Sequence, residues 1–386
     1  MRKLSILLIP LLLVALIVTA VGCGGDDEEA TPTQTPVATT PGMTPTPGEG
    51  TPAPVYNGGS YTFKLAHTSA VTTTQSKMWV LWDETLRKYT NDKVKLEIFP
   101  ASSLYGSFEL WDAVSTGAVD IVSIGDFQPQ MAGYLDFQIP YIPAFFGETI
   151  EEARAHDGRF WAHPDGGQKI FGEVEDAGVK IISFVTTGVL QLGMSKFEAD
   201  SMYDLKGKKL PSVGGLTGLN TDYVGAQNSV IDPAEFNIAF QQGLVDMVIT
   251  GPESVESQRL YEIAKNGFVI SLLISHNFMA WNLDLWNSLE PELKDIITNK
   301  VIPEVKAWAN ATFPDAEYAA LERLQEENGV KVTWESDVER REIRDALWPM
   351  AWDRHFLDDM DVELIKLADA LRNEPYDQTE LPFPTE

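Results

Sequence analysis

Two segments far apart in this chain have nearly the same sequence, and this duplication constrains the fold more than any other feature. One reads TGAVDIVSIG and the other QGLVDMVITG; they span Thr116–Gly125 and Gln242–Gly251. Each follows a segment with helical spacing, and each contains a glycine where a helix can end in a left-handed conformation. Each then enters an apolar run typical of a strand buried on both faces of a parallel sheet. The repeat predicts one helix-to-strand unit in each of two similar α/β lobes.

The second glycine of each phrase marks an expected ligand site. In open parallel sheets, ligands bind outside the carboxyl ends of the strands, where glycine lets the backbone approach closely. Two lobes that face each other would present Gly125 and Gly251 to one cleft. Each glycine alone is equally well explained as a plain turn residue, but their pairing favours the functional interpretation.

The rest of the folded part is consistent with α/β lobes. The chain of 386 residues is long enough for two of them. YTFKLAHT, SKMWVLWDETLRKYT and NDKVKLEIFP predict a strand, a helix and a second strand, while further strands are predicted in GVKIISFVT, KKLPSV and GFVISLLI. The C-terminal third is predicted to be mostly helical, with one strand in GVKVTW.

The N-terminus predicts export and anchoring. Arg2 and Lys3 precede an apolar run and the only cysteine of the chain, Cys23, in the pattern of a secretory signal with a bacterial lipobox. Residues 1–22 are then a signal peptide, and Cys23 carries the lipid. An uncleaved transmembrane helix is the alternative, because the apolar run approaches spanning length. Either anchor places the folded part outside the cytoplasmic membrane, above a Pro/Thr/Gly-rich tether over residues 23–59.

Charge and motifs exclude several functions. A net charge of −28 without a basic segment argues against binding nucleic acid. The five histidines show no zinc-ligand spacing, and no Gly-x-Ser-x-Gly or phosphate-binding glycine motif occurs, so we expect neither a metal nor another cofactor. A glycosidase-like pair of carboxylates stays possible in so acidic a chain.

Several motifs together resemble the solute-binding proteins of TRAP (tripartite ATP-independent periplasmic) transporters. They are FKLAH, KYTNDKVKLEIFPASSLYGSFELWDAVSTGAVDI, IPYIPAFFGE, DLKGKKL, AEFNIAFQQGLVD and LEPELKDII. The resemblance implies an α/β, two-lobed periplasmic-binding-protein-like fold (type II-like), with a mixed sheet flanked by helices in each lobe and a long bridging helix. It also implies delivery of a small solute to a TRAP-type membrane permease. We assign residues 60–184 and 277–312 to lobe I, and 185–276 and 313–386 to lobe II.

The chain departs from the family pattern where that pattern recognises carboxylates. By alignment, the usual arginine after DLKG is replaced by Pro211, a second arginine by Leu190, and an asparagine by Thr250. A buried carboxylate without such a partner lacks its main counter-charge. The ligand is therefore expected not to be a simple organic acid, unless Lys208 or Lys209 substitutes for the arginine.

The residues expected near the cleft suit a neutral or weakly polar ligand held by stacking and a few hydrogen bonds. Candidates are His67, Thr68, Tyr105, Gly125, Asp126, Phe127, Phe146, Thr187, Ser212, Thr250, Asn277 and Trp281. His276 is a second histidine candidate. Asp126 and Glu253 either face a cationic ligand, cap helices or are exposed to solvent. Two other functions stay open, a secreted hydrolase and a surface lipoprotein that binds another protein.

Overall fold

The structure is a computed structural model, and it describes residues 56–142, 150–188, 190–270, 273–336, 338–343, 345–346 and 360–372. The predicted signal peptide, Cys23, most of the tether and Phe146 lie outside these ranges. Within them, no helix has both the length and the apolar composition needed to cross a membrane.

Eleven strands are present in the described residues: β1 Tyr61–Ala66, β2 Val94–Phe99, β3 Ile121–Ile124, β4 Val179–Gly188, β5 Gln191–Ser195, β6 Lys209–Ser212, β7 Gln227–Val230, β8 Met247–Thr250, β9 Asn266–Ile270, β10 Ser275–Asn282 and β11 Lys331–Trp334. The α-helices are α1 Thr74–Thr90, α2 Leu110–Ser115, α3 Phe127–Met131, α4 Ile150–Ala162, α5 Gly167–Glu173, α6 Gly215–Tyr223, α7 Phe236–Gln241, α8 Pro252–Ser257, α9 Leu283–Ser288, α10 Pro291–Ile296, α11 Ile302–Glu326 and α12 Val362–Arg372.

Two mixed sheets form the two lobes. The lobe I sheet has the strand order β2-β1-β3-β10-β4, in which β10 runs antiparallel to both neighbours and the other pairs along β1 are parallel. The lobe II sheet has the order β11-β9-β5-β8, and the parallel pair β6-β7 lies beside β8. The predicted α/β class with two mixed sheets is confirmed.

Two strand crossings and one long helix join the lobes. β4 of lobe I leads almost directly into β5 of lobe II, and β9 leads back into β10. α11 packs on α1 and β4 in lobe I and on α8 in lobe II, as the predicted bridging helix should. The C-terminal part differs from the predicted boundaries, because α12 packs on α4 in the core of lobe I rather than in lobe II.

The core of lobe I lies on both faces of its sheet. Because side chains alternate along a strand, Phe278 and Ala280 of β10 join an aromatic cluster with Trp161, while Met279 and Trp281 join the cluster under α1. Both faces of the sheet are therefore covered, which accounts for the near-continuous apolar strands in the sequence.

The duplicated phrase has the same geometry in both lobes. Gly117 follows the end of α2 with φ 75°, and Gly243 follows the end of α7 with φ 74°. These are the left-handed helix ends that the sequence predicts. Such values favour glycine because a Cβ atom would crowd the neighbouring carbonyl oxygen.

The aspartate of each phrase also has the same partner in both lobes. Asp120 Oδ2 accepts a hydrogen bond from the backbone N–H of Lys64 in β1, at 2.8 Å. Asp246 Oδ2 accepts one from the backbone N–H of Lys209 in β6, at 2.9 Å. Each carboxylate satisfies a backbone group of the neighbouring strand, so the repeated Val-Asp serves strand alignment rather than ligand binding.

We predict that Gly243→Ala lowers the free energy of unfolding by about 1–2 kcal/mol, the cost of a left-handed conformation for a residue with a Cβ atom. The added methyl group meets only Lys196 Nζ, at an ordinary contact distance of 3.9 Å. The change in stability therefore reports backbone strain and not steric crowding. Thermal or urea unfolding measures the change.

Gly172→Ala in α5 is the matched control, because the added methyl group has open space and the backbone φ is not positive. It should stabilise the protein by about 0.4–1 kcal/mol. Equal effects of the two substitutions would contradict the role assigned to Gly243.

Candidate ligand cavity between the lobes

The two glycine-ended strands meet at one cavity. Gly125 follows β3 of lobe I, Gly251 follows β8 of lobe II, and both line a cavity of about 580 Å³. Their φ angles are not positive, so the reason for glycine is space. A Cβ atom on Gly251 would lie 3.2 Å from Glu317 Oε1, and one on Gly125 would lie 3.4 Å from Gln128 Oε1. The volume is that of a small-molecule site.

Seven of the twelve predicted site residues line this cavity. They are Thr68, Gly125, Phe127, Thr187, Ser212, Thr250 and Asn277. Most follow directly from the carboxyl end of a strand or from the crossings between lobes, which is the relation that the sequence analysis used. The rest of the wall that the structure describes is also rich in serine, threonine, asparagine and glutamine side chains.

Four neutral side chains form a hydrogen-bonded cluster on the lobe I wall. Gln75 Nε2 donates to Ser123 Oγ at 3.1 Å and also to Asn277 Oδ1. Ser123 Oγ donates to Asn277 Oδ1 at 3.0 Å, and Asn277 Nδ2 donates to Thr187 Oγ1 at 3.1 Å. This cluster holds its donors and acceptors in fixed positions for a polar ligand.

A buried histidine between two aspartates forms the adjoining part of the wall. His276 Nδ1 lies 2.8 Å from Asp126 Oδ1, and Nε2 lies 2.8 Å from both carboxylate oxygens of Asp157. Thr186 Oγ1 donates to Asp157 Oδ2 at 2.8 Å. Burial alone lowers the pKa of His276, but the charges and hydrogen bonds of the two aspartates outweigh it and raise that pKa to about 10. The imidazole is therefore a cation that donates from both nitrogens, and the two carboxylates exceed its charge.

Tyr141 interacts with Asp126, one of the two aspartates that flank His276. Burial, followed by the charge of Asp126 and a hydrogen bond to it, raises the pKa of Tyr141 well above its usual value. The hydroxyl thus stays protonated and can donate to Asp126, which is itself fully buried. Asp126 consequently does not face the ligand space, contrary to one expectation from the sequence.

Two further predicted residues also lie away from the cavity wall. Tyr105 packs against the apolar core of lobe I. Trp281 lies under α1 with 0% exposure, edge-on to Phe63 at 5.1 Å. β10 runs antiparallel to β3, so the start of β10 faces the cavity and Trp281 lies at its far end. The expected ligand set is corrected accordingly.

His67 lies just behind the wall rather than in it. Its ring is 1% exposed, and neither ring nitrogen has a hydrogen-bond partner among the described residues. Burial lowers the pKa of His67 to about 4, so the ring is neutral near pH 7. Its neighbour Thr68 is the residue that lines the cavity.

No lysine or arginine is present among the described residues that line the cavity. Pro211 stands in the wall, and Leu190 lies in the core of lobe II. Lys208 Nζ lies over the ring of Phe197 at 4.4 Å, and Lys209 is exposed. Neither lysine substitutes for the arginines that the family resemblance leads one to expect.

Several residues of the cavity wall were not predicted from the sequence. Gln75 comes from the start of α1, Phe313 and Glu317 from α11, and Gln191 from the crossing into β5. The residues from the two helices do not follow a strand, so the rule about strand ends does not find them. Phe313 and Glu317 could have been found from the predicted bridging helix, because a helix that joins the lobes must pass the cleft. No group of three or more side chains placed to hold a metal ion occurs in the described ranges.

Carboxylates of lobe II accept hydrogen bonds from backbone N–H groups of lobe I. Glu253 accepts hydrogen bonds from the backbone N–H and the hydroxyl of Thr74, at 3.1 and 2.9 Å, at the start of α1. Asp232 Oδ2 accepts one from the backbone N–H of Phe108 at 3.0 Å. Helix starts carry partial positive charge, which stabilises such anions. Both contacts join the lobes.

In two other contacts between the lobes, lobe I supplies the acceptors. Gln138 Oε1 accepts a hydrogen bond from the backbone N–H of Leu216 in α6, at 2.7 Å, and the Tyr141 carbonyl accepts one from Asn220 Nδ2 at 3.0 Å. These four residue pairs join the two lobes.

Comparison with known proteins identifies consistent relatives. A sequence model described as bacterial extracellular solute-binding protein, family 7, matches residues 65–358. The C4-dicarboxylate-binding periplasmic protein DctP of Rhodobacter capsulatus is 23% identical over 295 residues, which cover 74% of this chain and 84% of that protein. The C4-dicarboxylate-binding protein DctB of Bacillus subtilis is 22% identical over 305 residues, with coverages of 75% and 80%.

Solved structures show the same fold. The sugar acid binding protein DctPAm from Advenella mimigardefordensis, in complex with galactonate, gives a TM-score of 0.75 at 17% identity and covers 81% of this chain and 98% of that one. A TRAP periplasmic solute binding protein from Shewanella oneidensis with bound succinate gives 0.73 at 18% identity, with coverages of 81% and 99%.

We predict opposite titration behaviour for the two buried histidines. By ¹⁵N NMR, His276 should stay doubly protonated at pH 8, whereas His67 should stay neutral at pH 6. Because the folded-state pKa of His276 is raised, its stabilising contribution is complete below pH 6.5 and is lost as pH rises toward 10.

His276→Gln should lower the free energy of unfolding by about 3–5 kcal/mol near pH 7, because it leaves two buried carboxylates without their cation. His67→Gln identifies the ¹⁵N resonances of His67 and serves as the comparison for the free energy of unfolding. A neutral His276 ring at pH 7 would contradict the ion-pair assignment.

Proposed function

The chain belongs to the bacterial extracellular solute-binding proteins of family 7, and from that premise we propose that it captures one small organic solute in the cavity between its lobes and delivers it to a TRAP-type membrane permease. The observation that carries the proposal is the common cavity at Gly125 and Gly251, with wall residues from both lobes. Its relatives are transport proteins that bind small solutes, and they are not enzymes.

The mechanism that best fits this geometry is closure of the lobes on the ligand. Closing expels water and brings together wall residues that the open lobes would hold apart. The contacts of Glu253 with Thr74 and of Asp232 with Phe108 support a closed arrangement, because each exists only while the lobes are together. Their partly exposed positions favour reversible closure, since exposed charge-assisted contacts contribute little individually.

The ligand of this protein differs, in our proposal, from the simple organic acids named for its relatives. The DctP and DctB relatives are named for C4-dicarboxylates, and two structural neighbours contain galactonate and succinate. Here the described cavity wall offers no guanidinium or ammonium group to a carboxylate, and the His276 imidazolium is already paired twice. Leaving a ligand carboxylate unpaired in such a site would cost several kcal/mol.

We expect a broad metabolite screen by thermal shift to yield at least one stabilising solute without turnover. A solute at 100 times its dissociation constant should stabilise the folded protein by about 2.7 kcal/mol. Native mass spectrometry of the purified protein identifies any solute that is already bound, and small-angle scattering measures closure as a smaller radius of gyration.

Chromogenic glycosides, esters and peptides are the enzymatic controls. Their turnover would favour the secreted hydrolase, and the absence of any stabilising solute would favour a lipoprotein that binds another protein. An unchanged radius at saturation would count against closure of the lobes.

Localisation follows from Cys23 in this proposal. Cleavage before Cys23 and lipidation of its thiol would anchor the domain to the outer face of the cytoplasmic membrane or in the periplasm, with residues 23–59 as the tether. The domain would then stay close to its permease while it moves above the membrane.

We predict that the wild-type protein incorporates a clickable fatty acid in its bacterial host and fractionates with membranes, whereas Cys23→Ser incorporates none. Cys23→Ser should also accumulate as the longer precursor, because lipidation precedes cleavage at a lipobox. A wild-type protein that fractionates with membranes at precursor length and without label would indicate the uncleaved transmembrane helix instead.

A further inference from the structure

One carboxyl group in the cavity wall has an atom without a partner. Glu317 Oε2, on α11, is buried and has no hydrogen-bond partner among the described residues. The group lies against Gly251, and the backbone N–H of Glu253 donates a hydrogen bond to it. An unsatisfied buried carboxyl oxygen at the wall of a cavity is costly unless something in the cavity pairs with it.

Acidic side chains line the cavity wall around Glu317. Glu253 on α8 and Glu317 on α11 both line the cavity, and no lysine or arginine does so in the described part of the chain. The Arg154 guanidinium on α4 acts on Glu317, but it also acts on Asp157, and it is absent from the cavity wall. The His276 imidazolium, which also lines the cavity, is paired with Asp126 and Asp157.

Aromatic rings accompany the carboxyl groups. Phe313 lies one helical turn from Glu317 on α11, and Phe127, Phe236 and Tyr141 line the same cavity. The faces of such rings attract cations and pack against alkyl carbon. The neutral cluster around Asn277 supplies hydrogen-bond partners for hydroxyl or amide groups.

On the basis of the proposed function, we propose that the solute carries an amine or ammonium group, which the Glu317 carboxylate binds beside Glu253. This charge pattern is opposite to one that would recognise a mono- or dicarboxylate. A cation at this position supplies the missing partner of Oε2 and separates the two glutamates. It also explains why Pro211 is compatible with function, because no carboxylate then needs an arginine from β6.

The protonation of Glu317 makes the binding dependent on pH. Burial and the nearby charge of Glu253 raise the pKa of Glu317 to about 8, against the opposing effects of the Glu253 N–H and Arg154. The Glu317 carboxyl group is thus mostly protonated at pH 7 in the absence of a cation, and an ammonium group must displace that proton. For an amine whose own pKa lies well above 8, such as putrescine, affinity should rise with pH until about 8, by roughly 50-fold between pH 6 and pH 8 when one proton is released.

Two matched sets of probes test this proposal by thermal shift and calorimetry. The first set contains putrescine, 1,4-butanediol and succinate, which share a four-carbon chain. The second contains glucosamine, glucose and glucuronate, which share a sugar ring. In at least one set we expect the amine to bind most tightly at pH 8, the neutral member at least tenfold more weakly, and the carboxylate not measurably.

Glu317→Gln should weaken binding of that amine at least tenfold and abolish its pH dependence. Glu322→Gln, on an exposed position of the same helix, is the matched control and should change neither. Because Gln is nearly the size of Glu, the free variant should unfold within a few degrees of the wild type. The pH dependence in the wild-type protein is a readout that does not need the variant.

The outcomes separate this inference from the proposed function. A carboxylate or neutral solute that binds more tightly than its amine counterpart, or a co-purified solute without an amine group, would overturn the ammonium site and leave solute capture intact. Binding of a carboxylate that is lost in Arg154→Met but kept in Glu317→Gln would assign the site to Arg154 instead. Failure of all probes and of the broad metabolite screen would overturn both.

Discussion

The arrangement of lobe I depends on one buried ion cluster, in which the imidazolium of His276 lies between Asp126 and Asp157. Asp126 follows the end of β3, His276 stands at the start of β10, and Asp157 belongs to α4. Each element by itself would leave a charged group buried without a partner. Such an ion cluster adds little net stability compared with an apolar core, but removing one member is strongly unfavourable. It therefore specifies which elements meet where the chain returns from lobe II to lobe I.

The sequence predicted the parts of the fold that depend on local pattern. The left-handed glycines after α2 and α7, the two buried strands, and the common cavity at their ends follow from ten-residue phrases that contain their own turn chemistry. The direction of β10 cannot be predicted from the sequence around it. It depends on pairing with β3 across a long stretch of chain, so Trp281 was expected at the cavity although it lies in the core. The packing of α12 on lobe I was missed for the same reason.

The candidate site was predictable to the extent that it lies at strand ends. Thr68, Thr187 and Asn277 were found by that relation, whereas Gln75 and Glu317 reach the cavity from helices whose docking is tertiary information. The aspartates of the repeat show the converse limit. Asp120 and Asp246 were equally conspicuous in the sequence, but both bind backbone N–H groups of neighbouring strands. The repeat therefore identified equivalent positions in the two lobes. It could not show whether a repeated residue aligns neighbouring strands or binds a ligand.

In the proposed mechanism, Glu253 couples recognition of the solute to closure of the lobes. Its carboxylate holds lobe II to the start of α1, and the same charge raises the pKa of Glu317 in the cavity. Without a ligand, ionisation of Glu317 would bring a second negative charge close to the contact that keeps the lobes together. A cationic solute removes that repulsion, and so it stabilises the closed form by differential interaction, as any ligand that shifts a conformational equilibrium must. An anionic solute in the same place would add to the repulsion and favour the open form. In this proposal, selectivity for the charge of the solute and closure of the lobes depend on the same pair of glutamates.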